Sequence, residues 1–206
     1  MTITVSTAQA RFSPLSVFLS CLFENILSEG QDEKVSSLAC RLQNRLLVPG
    51  DQQPPAPGRI GACHALKDAK SSVPPSLTSL SDAFFALEPF LTWTPRPKVG
   101  PNAASNWANG HANATMVGVD GLEKRSDAII GVSLLERNVR YPDHHHPPEE
   151  AYLLLTSGCF KNEQTSWNEI RAGQTFYNRP HTMHAMASGV HPLIAFWLLD
   201  PNTSAF

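Results

Sequence analysis

With 206 residues, 42% of them hydrophobic and 17% charged, the chain is long enough to bury one sizeable core, and a single domain with an N-terminal extension is expected. A formal net charge of −2, with no Lys/Arg cluster interleaved with aromatics, excludes the broad basic field that nucleic-acid binding favours. Four scattered cysteines (Cys21, Cys40, Cys63 and Cys159) without a CxxC pair exclude a short secreted disulfide framework, and a reduced, cytoplasmic setting is expected.

In chain order, Leu15, Phe18, Leu19, Leu22 and Ile26 recur at helical spacing, with Gly30 as a stop. The apolar stretch from Leu15 to Leu27 is too short to span a bilayer and carries Glu24, so it reads as a packed helix and not as a signal peptide or a membrane anchor. Val35, Leu38, Ala39, Leu42 and Leu46 predict a second helix, and the two are expected to form a hairpin. Ten of the 17 prolines fall between Pro49 and Pro101, among them Pro95, Pro97 and Pro101, which predicts mostly loop. One short helix interrupts it, with Leu77, Leu80, Phe84 and Leu87 as its stripe and Pro89 just past its end.

From about Thr115 short apolar runs bounded by turn residues take over: Ala128 to Leu135, Ala151 to Leu155, Gly173 to Tyr177, and Pro192 to Leu199. Short strands at this spacing predict an antiparallel sandwich or barrel. The expected division is therefore 1–110, a helical and Pro-rich extension packing on the barrel, and 111–206, the barrel itself.

The barrel half holds Tyr141-Pro142-Asp143-His144-His145-His146, followed by Glu150, Tyr152 and, later, His184. In an extended chain, side chains alternate faces, so His144, His146, Glu150 and Tyr152 share parity if the turn at Pro147-Pro148 preserves register. Imidazoles with a carboxylate suit a first-row divalent ion, with Zn, Fe(II), Mn, Co and Ni all admitted. A histidine triplet alone could be a solvated loop. The carboxylate four residues after His146 and the downstream His184 argue against that. His145 has the opposite parity and is expected to face out, His181 is expected on a surface turn, and Cys159 on a strand after a turn.

His144, His146 and Glu150, followed by Gly173, Pro180 and His184, resemble the two motifs of the cupin superfamily over roughly Ala128 to Asp200. The resemblance implies a small double-sheet β-barrel with one metal, but no particular chemistry. The fuller pattern, Tyr141 through Tyr152 behind a helical front section, is similar to the cupin-type dimethylsulfoniopropionate lyases of marine bacteria. That resemblance implies metal ligands at His146, Glu150 and His184, with His144 in the same first motif. It also implies Tyr152 as the base and Tyr141 as a second active-site tyrosine.

The reaction so implied is a metal-dependent β-elimination. A metal bound to the substrate carboxylate would acidify the adjacent C–H, Tyr152 as phenolate would take the proton, and the carbon–sulfur bond would break to give dimethyl sulfide and acrylate. A cation beside a phenol favours phenolate. The sulfonium is a permanent cation without donors, so an aromatic wall is expected, with Trp197, Tyr141 and Phe176 as candidates. Trp93 and Trp107 lie in the irregular segment, where a lid is one reading. A cupin dioxygenase using Fe(II), another cupin enzyme acting on a small carboxylate, and a non-catalytic metal- or ligand-sensing barrel are the alternatives. Tyr152 favours elimination, which needs a base. The N-terminal helices are left with two roles: covering the barrel mouth or joining two copies as a homodimer.

Overall fold

The computed structural model describes residues 10–96 and 101–203, so Pro97 lies outside the described residues. The first helix, α1 (Ser13–Ile26), starts at Pro14 in its first turn and buries Leu15, Phe18, Leu19, Leu22, Phe23 and Ile26 on one face. In α2 (Glu33–Arg45) the Asp32 side chain caps the helix by accepting from the Lys34 amide at 2.7 Å, with Glu33 and Arg45 at the ends the helix dipole favours. The expected hairpin is loose: α1 makes its larger contact with α4 (Thr78–Leu87) and a smaller one with α2. Gly30 does adopt a left-handed φ of 86°, but in the connecting turn, three residues past the Leu27 cap.

The Pro-rich region holds more structure than expected. A 3-10 turn at Gly61–Ala65 runs into α3 (Leu66–Ser71), whose apolar residues are too few to show a helical period. A four-residue α5 (Trp107–Gly110) precedes the barrel strands. Among the described residues, no helix is long and apolar enough to cross a membrane, and all four cysteines are free.

Among the described residues, ten strands form two sheets, almost wholly antiparallel. The larger contains β1 (Asp51–Gln52), β2 (His111–Val117), β3 (Glu123–Lys124), β4 (Ile129–Leu135), β5 (Glu149–Leu154), β8 (Thr175–Asn178) and β10 (Leu193–Asp200), in the order β1-β3-β2-β4-β10-β5-β8. The smaller pairs β7 (Thr165–Ile170), β6 (Gly158–Asn162) and β9 (His184–Ala187). Together they make the expected cupin barrel.

The central strands are buried on both faces, which is why they read as continuous apolar runs. Phe196 and Trp197 show the consequence. Phe196 points outward into the helices, its ring 5.0 Å from Phe18 and 5.1 Å from Phe84, whereas Trp197 points into the barrel. One core cluster therefore joins α1, α2 and α4 to the outer face of the large sheet, and a second fills the barrel interior. The helices cover the back of the sheet and not the barrel mouth.

A candidate metal centre in the barrel

The two histidine motifs meet by backbone pairing. His144 and His184 form a bridge, each amide donating to the other's carbonyl at 3.0 and 2.9 Å, which brings their rings to 4.2 Å between centroids. His146 follows two residues on, with its ring 5.0 Å from that of His184. Each imidazole is oriented from behind by a carbonyl that takes the Nδ1 proton: Pro142 for His144 at 2.9 Å, Pro148 for His146 at 2.9 Å, and Thr182 for His184 at 2.8 Å. That arrangement fixes the tautomer and frees Nε2 as an acceptor. The three rings offer ligand atoms all within 4.8 Å of one another.

Glu150 completes the cluster, its Oε2 lying 3.2 Å from Nε2 of both His146 and His184. Both Nε2 atoms are nevertheless buried without a hydrogen-bond partner, since their lone pairs converge without donor alignment. Buried polar atoms left so are costly unless a proton or a cation stands among them. The donor set is borderline nitrogen with one carboxylate oxygen, and it fits a divalent first-row ion. Burial, then the neighbouring His184, lowers the His144 pKa to about 3, so this ring is the neutral form that can ligate. Burial works against ionisation of Glu150, but His146 and His184 prevail and hold its carboxyl well below the usual range. At His146 burial is likewise outweighed, by Glu150, and the pKa rises. Asn178 Nδ2 also donates to Glu150 Oε2 at 3.2 Å, orienting the carboxylate from β8.

These groups open on a cavity of about 460 Å³. Its floor is built by cross-strand register. Leu199 of β10 pairs with Ile129 and Glu150, and Trp197 pairs with Gly131 and Tyr152, so these residues of three strands fall in two rows. Gly131 is the residue that lets Trp197 lie flat across β4: a Cβ there would come within 2.2 Å of the indole. Tyr152, two residues after Glu150, lines the same cavity. Burial, then the Glu150 charge, lifts its phenol well above the ordinary tyrosine value.

Tyr141 also lines the cavity, beside His144, with ring centroids 5.0 Å apart. Its oxygen accepts from Asn113 Nδ2 at 3.4 Å, and Asn113 Oδ1 accepts from Ser133 Oγ at 2.6 Å, a chain that leaves the Tyr141 proton uncommitted. Burial, above all, raises its pKa.

Other residues singled out in the sequence are dispersed. Gly173 makes the turn into β8 with φ 84°, Cys159 lies on β6, and His145 and His181 are exposed, the latter with φ 59°. Phe176 is a neighbour of Tyr152 across the β5–β8 pair but packs on Phe160 at 5.3 Å and is not among the cavity-lining residues. The lid reading of Trp93 and Trp107 is overturned, because both are buried. Trp93 Nε1 donates to Glu88 at 3.0 Å, and Trp107 stacks on His111 at 4.0 Å.

Sequence reasoning missed Arg96, Asn113, Ser133 and Met186, which also line the cavity. The alternation Trp93-Thr94-Pro95-Arg96 is the only local signal for Arg96. It is too short, and too interrupted by proline, to read as a strand.

A family model described as dimethylsulfoniopropionate lyase matches residues 34–195. Among solved structures, one described as of the dimethylsulfoniopropionate lyases RdDddP and RnDddQII superposes with a TM-score of 0.70 at 17% identity, over 91% of this chain and 92% of that one. A second, the dimethylsulfoniopropionate lyase DddQ from Ruegeria pomeroyi DSS-3, gives 0.66 at 21% identity, over 86% and 90%. At these identities the likeness is one of fold. No curated protein matches.

Proposed function

Because the chain belongs to the dimethylsulfoniopropionate lyase family, and is thereby a carbon–sulfur lyase, we propose that it cleaves dimethylsulfoniopropionate by a metal-dependent β-elimination begun by Tyr152. The observation that carries this reading is the convergence of the three imidazoles and Glu150, with unpartnered Nε2 atoms at His146 and His184, beside a buried phenol in one cavity. His144, His146, His184 and Glu150 would hold the ion. When bound, a divalent cation supplies positive charge that acidifies the C–H next to the substrate carboxylate and favours the Tyr152 phenolate.

The remaining work falls to the chain. Tyr152, as phenolate, takes the proton from the carbon adjacent to the carboxylate and becomes a neutral phenol. The electron pair of that C–H bond forms the double bond of acrylate, and the carbon–sulfur pair leaves with dimethyl sulfide. Tyr141 keeps its proton available to donate to the substrate, because Asn113 already satisfies its oxygen as an acceptor. Trp197 and Met186 give the sulfonium a polarizable, apolar wall. Without a cation the site raises the Tyr152 pKa, so the apo protein is expected to be inactive.

The test is headspace detection of dimethyl sulfide from the purified protein loaded in turn with Zn, Fe(II), Mn, Co or Ni. Tyr152→Phe is expected to retain its metal and lose turnover by roughly 100-fold or more, the usual scale for a lost general base. Full activity in Tyr152→Phe would remove the proposed base. No dimethyl sulfide with any of the metals would remove the substrate.

A further inference from the structure

We propose that Arg96 is the carboxylate anchor of the cavity and selects zwitterionic substrates over simple sulfonium cations. The inference rests on the lyase reading above for the identity of the substrate, but not for the existence of the anion site. Among the described residues, Arg96 is the one lysine or arginine that lines the cavity. No carboxylate among the described residues forms an ion pair with it, although most other arginines are so paired. A guanidinium left without a carboxylate at the wall of a half-apolar cavity is a fork-shaped donor awaiting a planar anion.

Its position is built and not incidental. Thr94 pairs with Asn113 of β2 through two backbone hydrogen bonds of 2.9 Å. Two residues on, where a strand would make its next backbone bond, the Arg96 amide donates instead to Nε2 of His111 at 2.9 Å. His111 is itself fixed: it is buried, its Nδ1 lies against the Trp107 carbonyl, and its ring stacks on the Trp107 indole. Burial lowers its pKa, which keeps Nε2 an acceptor. His111 and Trp107, neither of which lines the cavity, are in this way positioning residues for Arg96.

The Arg96 charge also reaches into the site. Arg96 lines the same cavity as Tyr141, Tyr152 and Trp197. A cationic residue in a cavity meant for a sulfonium would be repulsive if the substrate carried no negative end. The conflict disappears if the carboxylate end lies against Arg96 and the sulfonium lies away from it, toward Trp197. In that orientation the carbon adjacent to the carboxylate, which must lose its proton, is held between the two ends, where Tyr152 works.

The test compares the full-length metal-loaded protein with Arg96→Gln and Arg96→Lys at equal metal content. Loss of a charge-assisted pair is expected to raise KM for dimethylsulfoniopropionate about tenfold or more in Arg96→Gln, with a smaller change in kcat and partial recovery in Arg96→Lys. The carboxamide of the substrate, which keeps the sulfonium but not the negative end, should bind Arg96→Gln at least as well as wild type. Propionate, titrated by calorimetry, should bind Arg96→Gln more weakly than wild type by a similar factor. Equal weakening of substrate and carboxamide would show a general packing role and overturn the proposal, as would unchanged propionate affinity or loss of metal from Arg96→Gln. A wild type that releases no dimethyl sulfide would overturn the lyase reading alone, because the propionate titration decides Arg96 without turnover.

Discussion

At the scale of single residues, parity along β5 divides two adjacent carboxylates between two tasks. Glu150 faces the three histidines, whereas Glu149 turns outward to Arg41 and accepts from Tyr177 Oη at 2.6 Å. Gly131 is as position-specific on the neighbouring rows. An alanine there would set its Cβ 2.2 Å from the Trp197 ring and 2.5 Å from the Ala114 carbonyl oxygen, and backbone does not yield as a side chain does. Gly131→Ala is therefore expected to destabilise the protein by about 1–3 kcal/mol, the range for overpacking a dense interior, and to raise KM by displacing the indole. Adding Trp197→Ala to Gly131→Ala should restore part of the stability and none of the affinity. Unchanged thermal unfolding in Gly131→Ala would show that the indole does not depend on the bare backbone beneath it.

At the scale of elements, α2 is docked by charge as well as by its apolar face. Asp200, buried at the end of β10, accepts from Arg45 Nη1 at 2.6 Å and from Arg41 Nε at 3.2 Å, and Arg41 also reaches Glu149 at the start of β5. The helix thus ties together the ends of the two strands that carry Trp197 and Glu150. Asp200→Asn is expected to cost about 1–3 kcal/mol, less than a fully buried pair because both arginines reach solvent. Burial alone would raise the Asp200 pKa, but Arg45 outweighs it and lowers the value. A folded-state pKa below the unfolded one stabilises above the unfolded value and is lost as pH falls through the folded one, so the gap between wild type and Asp200→Asn should begin to narrow below about pH 4. Chemical denaturation at pH 7 and pH 3 measures both values, and a gap unchanged at pH 3 would mean that the charge is not what docks the helix.

The same elements show what was legible in the sequence. The helical stripes of α1, α2 and α4 and the apolar runs of β4, β5 and β10 were readable because each buries a continuous face. The motif residues were readable because parity and turn residues constrain them locally. The small sheet was not: β7 is exposed along nearly its whole length, and β6 and β9 are short and mixed, so neither period appears. Arg96 was hidden for a different reason. Its role depends on a hydrogen bond to His111, fifteen residues away, and on a cavity assembled from strands distant in sequence. Phe176 has the right parity and the wrong depth, since the Phe160 ring holds it behind Tyr152.

At the scale of the whole molecule, the helical extension and the barrel share a core. Phe18 of α1, Phe84 of α4 and Phe196 of β10 form a triangle of rings, and Phe196 is the immediate neighbour of Trp197 on the other face of the same strand. The extension also contributes β1 to the large sheet and Thr94, Pro95 and Arg96 to the cavity wall. An assembly in which one unit supplies the outer cover of the sheet and part of the site of the other should not unfold in two steps. The full chain is expected to melt in one calorimetric transition whose van't Hoff and calorimetric enthalpies agree. Phe18→Ala opens a cavity at the centre of the shared face and should lower the stability of that single transition by about 3–5 kcal/mol. Because Phe18 lies on the far side of β10 from the proposed metal ligands, metal stoichiometry measured well below the melting temperature should be unchanged. Two separable transitions, with Phe18→Ala shifting only the first, would show instead that the extension folds apart from the barrel.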